Sequence, residues 1–194
     1  TLQRILEALQ QRADAAGKID WNLHYVDGTS FERISIPLVQ KGDPETEGLG
    51  RSRGGLTTKV HVRAEGQGKP MVMIIGPGHR HDAIYFKALL ETGAVKRTGR
   101  GRPRLNPRRI VADKGYTGRE RRAYLRRRGI RITIPRLTSE RRRGPFRKDL
   151  YRERNRIERL FCRLKQYRRI ATRYEKRAAN FHAMVLLAAI ILWL

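Results

Sequence analysis

Four residues in the segment Y151-R-E-R-N-R-I-E-R-L-F-C-R-L-K165 combine reactive side chains with a spacing that brings them together: Tyr151, Arg154, Glu158 and Lys165. On an ideal helix with Tyr151 at zero, Arg154 falls at about −60°, Glu158 at about −20° and Lys165 at about −40°. A carboxylate flanked by cations and a phenol is a set of groups that can hold a metal ion beside a phosphate. Ile157, Leu160, Phe161 and Leu164 form a second face of this helix, and Arg152, Arg156, Arg159 and Arg163 a third. The angles place Glu158, and not Glu153, on the mixed polar stripe. For an arbitrary basic helix such a stripe is more often a solvated face with i, i+4 ion pairs.

Two aspartates stand in company that favours the chemical reading. Asp27 lies in L23-H-Y-V-D-G-T-S-F31, where Leu23, Tyr25, Asp27, Thr29 and Phe31 share one side of a strand, so an acid is set among apolar and aromatic neighbours. Asp113 follows directly on the short apolar strand I110-V-A112. Carboxylates at these two positions and on a late helix can converge at the end of a sheet. Oxygen ligands there suit Mg²⁺ or Mn²⁺, and two such ions ~3.5–4 Å apart clamp the attacking and leaving oxygens of a phosphodiester displacement.

The elements that must position these groups are legible as patterns. An amphipathic helix over residues 1–14 opens the chain through Leu2, Ile5, Leu6 and Leu9, and residues 40–55 read as a loop. T57-T-K-V-H-V-R63 and P70-M-V-M-I-I-G76 are strands joined by a short turn, the second apolar on both faces as a central strand is. Asp82 caps a helix over 83–91. A basic loop, 96–109, leads to the strand before Asp113, and a helix over 119–128 and a strand over 130–134 follow. After a charged connector, 136–149, come a long helix over 150–170 and a last one from 178 to the end. Three strands joined by short turns and then strands joined by helices predict a mixed α/β sheet, antiparallel first and parallel afterwards, flanked by helices.

Lys and Arg outnumber Asp and Glu by 44 to 18 over 194 residues, a formal charge of +26. The excess is concentrated between residues 51 and 177, and self-repulsion of that size makes nucleic acid the first partner to consider. The single cysteine, Cys162, excludes an intrachain disulfide. The apolar run M184-V-L-L-A-A-I-I-L-W-L194 is shorter than the ~20 residues that span a bilayer, so it reads as a core helix or an association surface, with no membrane partner.

At this point the spacing Y151-x2-R154-x3-E158-x6-K165 resembles the Tyr-Arg-Glu-Lys signature of bacterial insertion-sequence transposases of the DDE class. A-D113-K-G-Y116 resembles the segment around their second acid, and V-D27-G-T29 that around their first. G50-R-S-R-G-G-L-T-T-K59, G78-H-R-H-D82 and R168-R-I-A-T-R-Y-E-K176 are similar to the insertion-sequence family five group. The resemblance implies an RNase H-like catalytic domain over 19–176, preceded by an N-terminal helix (1–18) left from a further region and followed by an apolar C-terminal helix (177–194). It implies cleavage at element ends and strand transfer into target DNA. Asp27, Asp113 and Glu158 would ligate two Mg²⁺ or Mn²⁺ ions, and Tyr151, Arg154 and Lys165 would contact DNA. It further implies double-stranded DNA and a second copy of the chain as partners, in the bacterial cytoplasm at the nucleoid. A non-enzymatic basic nucleic-acid-binding protein and an inactive truncated transposase are the competing readings.

Weaker signals have simpler accounts. G99-R-G-R-P-R104 is similar to an AT-hook core, but a generic phosphate-contacting loop explains it with less, and Arg100, Arg102 and Arg104 count as DNA contacts either way. H79-R-H-D82 lacks the four ligands of a structural zinc site. G48-L-G-R-S-R-G-G55 has neither nucleotide-binding glycine spacing.

Overall fold

The computed structural model describes residues 1–34, 46–52, 55–140 and 144–194; the first part of the 40–55 loop and part of the 136–149 connector lie outside the described residues. The centre of the fold is β1 (His24–Arg33), which pairs antiparallel with β3 (Gly55–Ala64) on one side and parallel with β5 (Arg109–Ala112) on the other. β4 (Pro70–Pro77) pairs antiparallel with β3, and β6 (Arg131–Thr133) pairs parallel with β5. The main sheet is thus three antiparallel strands continued by two parallel ones, the RNase H-like mixed arrangement that the resemblance implied.

Two short strands complete it. β2 (Gly50–Ser52) pairs with the start of β3, and β7 (Thr172–Arg173) pairs parallel with the end of β1. β2 lies within the stretch read as loop; three residues without an apolar period leave no trace in sequence, and ladder hydrogen bonds to β3 define them. β4 is at the edge, not the centre. Its apolar character on both faces has another cause: helix α7 (Ala178–Trp193) packs on one side and α2 (Phe86–Glu91) on the other.

The helices divide between the two faces. α1 (Leu2–Ala15) lies against α7, and Gln10 of α1 donates to the carbonyls of Pro70 and Met71. α5 (Asn155–Lys165) packs on β1 from the same side, burying Ile157, Leu160, Phe161 and Leu164. α2 and α3 (Arg119–Arg127) cover the other face, where Phe86 meets Tyr116. No helix of the described residues is long and apolar enough to cross a membrane.

The long helix expected over 150–170 is three pieces: α4 (Lys148–Arg152), α5 and α6 (Arg168–Ala171). At the first joint Arg154 N bonds Tyr151 O, Arg156 N bonds Glu153 O and Ile157 N bonds Arg154 O, each three residues back. The chain tightens to 3₁₀ pitch there without losing its course. Asp82 likewise does not cap a helix. His81 accepts from the Ala83 amide at 3.2 Å and opens a 3₁₀ turn, Asp82–Ile84, ahead of α2.

A buried arginine positions the basic loop. Arg63 on β3 is fully buried and donates to the carbonyls of Thr92, Gly93 and Leu105, at both ends of the loop. The face assignment of α5 yields a stability contrast. Leu160→Ala, at a fully buried position, should lower unfolding free energy by about 2–5 kcal/mol, whereas Arg159→Ala on the exposed face should change it by no more than about 0.5 kcal/mol. Urea unfolding of the two variants checks this; equal losses would contradict the assignment.

Candidate functional site

The parallel register of β1 and β5 ends on the pair Val26 and Ala112. Asp27 and Asp113 are each the next residue, so their side chains leave the same face of neighbouring strands, roughly 4.8 Å apart along the hydrogen-bonding direction. β5 stops there, with Asp113 opening the 3₁₀ turn Lys114–Tyr116, while β1 runs on to Arg33. The two aspartates therefore sit in a notch where one strand outlasts its neighbour.

Glu158, in the first turn of α5, is linked to this notch, among the described contacts, only through Arg154. One guanidinium nitrogen of Arg154 donates to Asp27 Oδ2 at 2.5 Å, and another donates to Glu158 Oε1. The second oxygen of Asp27 accepts from the Gly28 amide at 2.9 Å. Burial pushes the Asp27 carboxyl up to about 6, against the opposing pull of Arg154 and the Gly28 amide, and the charges of Asp113 and Asp82 add to the rise. Two residues 131 positions apart in sequence are joined here by one side chain.

Asp113 Oδ1 is shut off from solvent and has no hydrogen-bond partner among the described residues. A buried carboxylate oxygen in that state is stabilised by a cation, and hard oxygen donors suit Mg²⁺ or Mn²⁺. In kind, the donors fit such an ion. In this arrangement, however, the guanidinium stands between Asp27 and Glu158, and among the described residues no three His, Cys, Asp or Glu side chains are grouped closely enough to hold a metal.

The other residues of the stripe separate into near and far. Tyr151 on α4 is half-buried, tilted against Phe146 at 5.3 Å, and the Arg154 guanidinium lies 5.9 Å from its ring. Lys165, at the far end of α5, sits 5.7 Å from the ring of Phe31, about 10 Å along the helix from Glu158. α5 thus runs alongside β1, its start at Asp27 and its end at Phe31. Arg100 and Arg102 are exposed on the basic loop. Arg104 lies 4.7 Å from the Trp21 ring and 3.7 Å from Asp14. Among the described contacts, none of these three arginines touches the acidic notch.

A polar cluster on the opposite face of β1 was not anticipated. Asp82 Oδ1 lies 3.2 Å from Lys59 Nζ and 3.3 Å from His61 Nδ1, and His61 stacks on Tyr85 at 3.9 Å. Gly28 admits this approach, since a Cβ there would stand 2.8 Å from Asp82 Oδ1. Burial lowers His61 to about 4, despite the opposing charge of Asp82 and with Lys59 adding to the fall, so the imidazole is neutral at pH 7. Buried Tyr116 has its hydroxyl raised by burial first and then by Asp82, Asp27 and Asp113, so the three carboxylates act on one ring. The signal was the alternation of Lys59, His61 and Arg63 on one side of β3.

A family profile described as "Transposase DDE domain" matches residues 19–194. The chain is 30% identical over 150 residues to a protein of Burkholderia cepacia named for the transposase of insertion sequence element IS402, covering 77% of this chain and 69% of that protein. It is 31% identical over 146 residues to one of Brucella ovis named for the transposase of IS6501, covering 72% of this chain and 99% of that protein. Among solved structures, a Mos1 transposase paired-end complex with left transposon end aligns at a TM-score of 0.34 and 16% identity, over 68% of this chain and 40% of that one. The Mos1 strand transfer complex aligns at 0.34 and 13%, over 98% and 57%. This chain therefore spans about half the length of those two solved chains, and at such scores the fold rests on the strand order described above.

The buried position of Asp27 has a pH signature. Its folded value, about 6, lies above the ordinary 3.8, so the folded chain holds that proton more tightly than the unfolded one. The stabilisation is complete below 3.8 and is lost as pH rises through about 6. Asp27→Asn removes the titration. The stability of the wild type relative to this variant should therefore fall by on the order of 1–2 kcal/mol between about pH 4 and pH 7, read from urea midpoints. A difference that is flat or rises with pH contradicts the burial of this carboxyl.

Proposed function

The chain belongs to the transposase DDE domain family, and on that premise we propose that it cuts DNA at the ends of an insertion sequence and joins them to a target through Asp27, Asp113 and Glu158. The Tyr-Arg-Glu-Lys spacing supports placing it in the family five group. The observation that carries the site reading is the notch, with Asp27 and Asp113 one residue beyond the last rung of two parallel strands and Glu158 tied to Asp27 by Arg154.

Asp27, Asp113 and Glu158 would hold two Mg²⁺ or Mn²⁺ ions, which when bound supply an activated water or hydroxyl and neutralise charge on the phosphate. To hold a cation, Asp27 would have to release the Arg154 guanidinium, and Arg154 would then be free to donate two parallel hydrogen bonds to a phosphate oxygen pair, the pairing for which a planar guanidinium is suited. Tyr151 sits beneath that guanidinium and offers a hydroxyl to the same strand. Lys165, farther along α5, meets the backbone several phosphates away. His61, neutral and held between Tyr85 and Asp82, supports β1 from behind.

Double-stranded DNA is the partner that a +26 chain fits, at the nucleoid of a bacterial cytoplasm. Two element ends must be held together, so the reading includes a second copy of the chain. α7 leaves Leu187, Ile191 and Leu194 exposed at i, i+4 and i+7, an apolar row on which such a copy can pack.

Glu158→Gln keeps an acceptor for Arg154 and removes the charge. It should lower Mn²⁺-dependent nicking of duplex DNA carrying an element end by roughly a hundredfold or more, since even neighbours of metal ligands cost 10–100-fold, while DNA affinity measured without metal stays within a factor of about two. Nicking that survives the substitution contradicts the role of Glu158, and no nicking by the wild type at any divalent metal favours the non-enzymatic reading.

A further inference from the structure

Asp82 stands close to the notch, and the chemistry above leaves it unused. Behind burial and Asp113, its charge adds to the rise of the Asp27 carboxyl, so by charge alone an acid here works against its neighbours. Asp82 Oδ1 is closed off from solvent, and the cation that meets it is Lys59, whose Nζ lies 3.2 Å away. His61, at 3.3 Å, is neutral at pH 7 and leaves the charge to that lysine. Lys59 Nζ also donates to the Arg80 carbonyl at 3.3 Å. One lysine on β3 thus fastens both the carboxylate and the backbone just ahead of it.

Two contacts lead from Asp82 to the aspartates of the notch. The first runs through Gly28. Asp82 Oδ1 lies against this residue, where a Cβ would stand only 2.8 Å from it, and the Gly28 amide donates to Asp27 Oδ1 at 2.9 Å. A side chain on the far face of β1 therefore sets the amide that orients the Asp27 carboxylate. The second runs through two 3₁₀ turns. The turn Asp82–Ile84 packs against the turn Lys114–Tyr116, which Asp113 opens. Tyr116 donates its amide to the Asp113 carbonyl at 3.2 Å, and its ring meets Phe86 on α2. Burial raises its hydroxyl first, and then Asp82 does so ahead of Asp27 and Asp113. Asp113 lies one residue beyond the last rung between β1 and β5, so its backbone is held by this packing rather than by a ladder.

We propose that Asp82 is a positioning residue for the notch: anchored by Lys59, it holds Gly28 from behind and the turn after Asp113 from the side, and so sets the two aspartates relative to each other. Its purpose rests on the transposase reading, while its hold on the backbone can be measured without metal or DNA. A field effect is the competing account, since a nearby negative charge favours a cation without orienting any ligand. Lys59 separates the two. Lys59→Met leaves the Asp82 charge unopposed, so a field alone would tighten binding of a divalent cation, whereas an Asp82 without its anchor weakens it.

The full chain, without DNA, is titrated with Mn²⁺ and followed by electron paramagnetic resonance, counting as notch-bound the Mn²⁺ that Asp27→Asn loses. Asp82→Asn and Lys59→Met should each weaken that binding about tenfold or more, as expected for groups that orient metal ligands. The double variant should bind no more weakly than Asp82→Asn alone, because the two side chains act as one unit. Amide hydrogen exchange of the metal-free chain, read residue by residue by NMR, gives the second readout. Asp82→Asn should speed exchange at Gly28, Tyr116 and Thr117 on the order of tenfold, while Val60 and Val62, on a strand paired on both sides, stay within about twofold. Unchanged or tighter Mn²⁺ binding in Lys59→Met overturns the proposal, as does exchange that is unchanged at Gly28 and Tyr116 or that rises equally at Val62. A wild type with no notch-bound Mn²⁺ contradicts the transposase reading instead, and the exchange rates still decide what Asp82 holds.

Discussion

One guanidinium holds the candidate site together. Arg154 stands at the joint of α4 and α5 and donates to Asp27 on the central strand and to Glu158 one turn farther along the helix. Through it a helix near the end of the chain is fastened to a strand near its beginning, and two carboxylates that repel each other are kept side by side. The partial burial of Asp27 strengthens the attraction, because charge interactions weaken less with distance where water is excluded. A cation removed from that position leaves two acids to be neutralised by something else, and divalent ions are the natural replacement.

The scarcity of acids in this chain gives that arrangement its meaning. With 18 acidic residues against 44 basic ones, a carboxylate that merely balanced charge would have cations on every side. The described acids instead do particular jobs. Glu65 closes the turn between β3 and β4, Glu47 accepts from the Ala178 amide at the start of α7, and Glu140 accepts from Thr117 just past the 3₁₀ turn that follows β5. Asp113 differs from these. One of its oxygens is buried without a hydrogen bond, as are Asp82 Oδ1 and Glu175 Oε2, but the carboxylates of Asp82 and Glu175 are ion-paired with Lys59 and Arg169, whereas among the described residues Asp113 has no such partner.

Much of the sheet was legible because half-buried strands preserve a period of two. The alternation around Tyr25 and Phe31, the alternation of β3 and the isoleucines about β6 each marked a strand in its observed place. The position of Asp113 was legible because a carboxylate after an apolar run ends a strand, and that of Glu158 because helical angle separates it from Glu153. What escaped depended on tertiary partners. No glycine or proline announces the tightening at 153–154, and the edge position of β4 is disguised by helices on both of its faces. Asp82 has the position of a helix cap by sequence, yet Lys59 and His61, reached across the sheet, claim its carboxylate.

Catalysis at this notch requires the three carboxylates to hold metal in place of the Arg154 guanidinium. The most direct measurement is anomalous diffraction at the manganese edge from crystals of the chain equilibrated with Mn²⁺. Manganese is expected at Asp27 and Asp113, with Glu158 a ligand and Arg154 turned away from Asp27. Manganese absent from the notch at concentrations that support nicking, with Arg154 still bridging Asp27 and Glu158, would contradict catalysis at this notch.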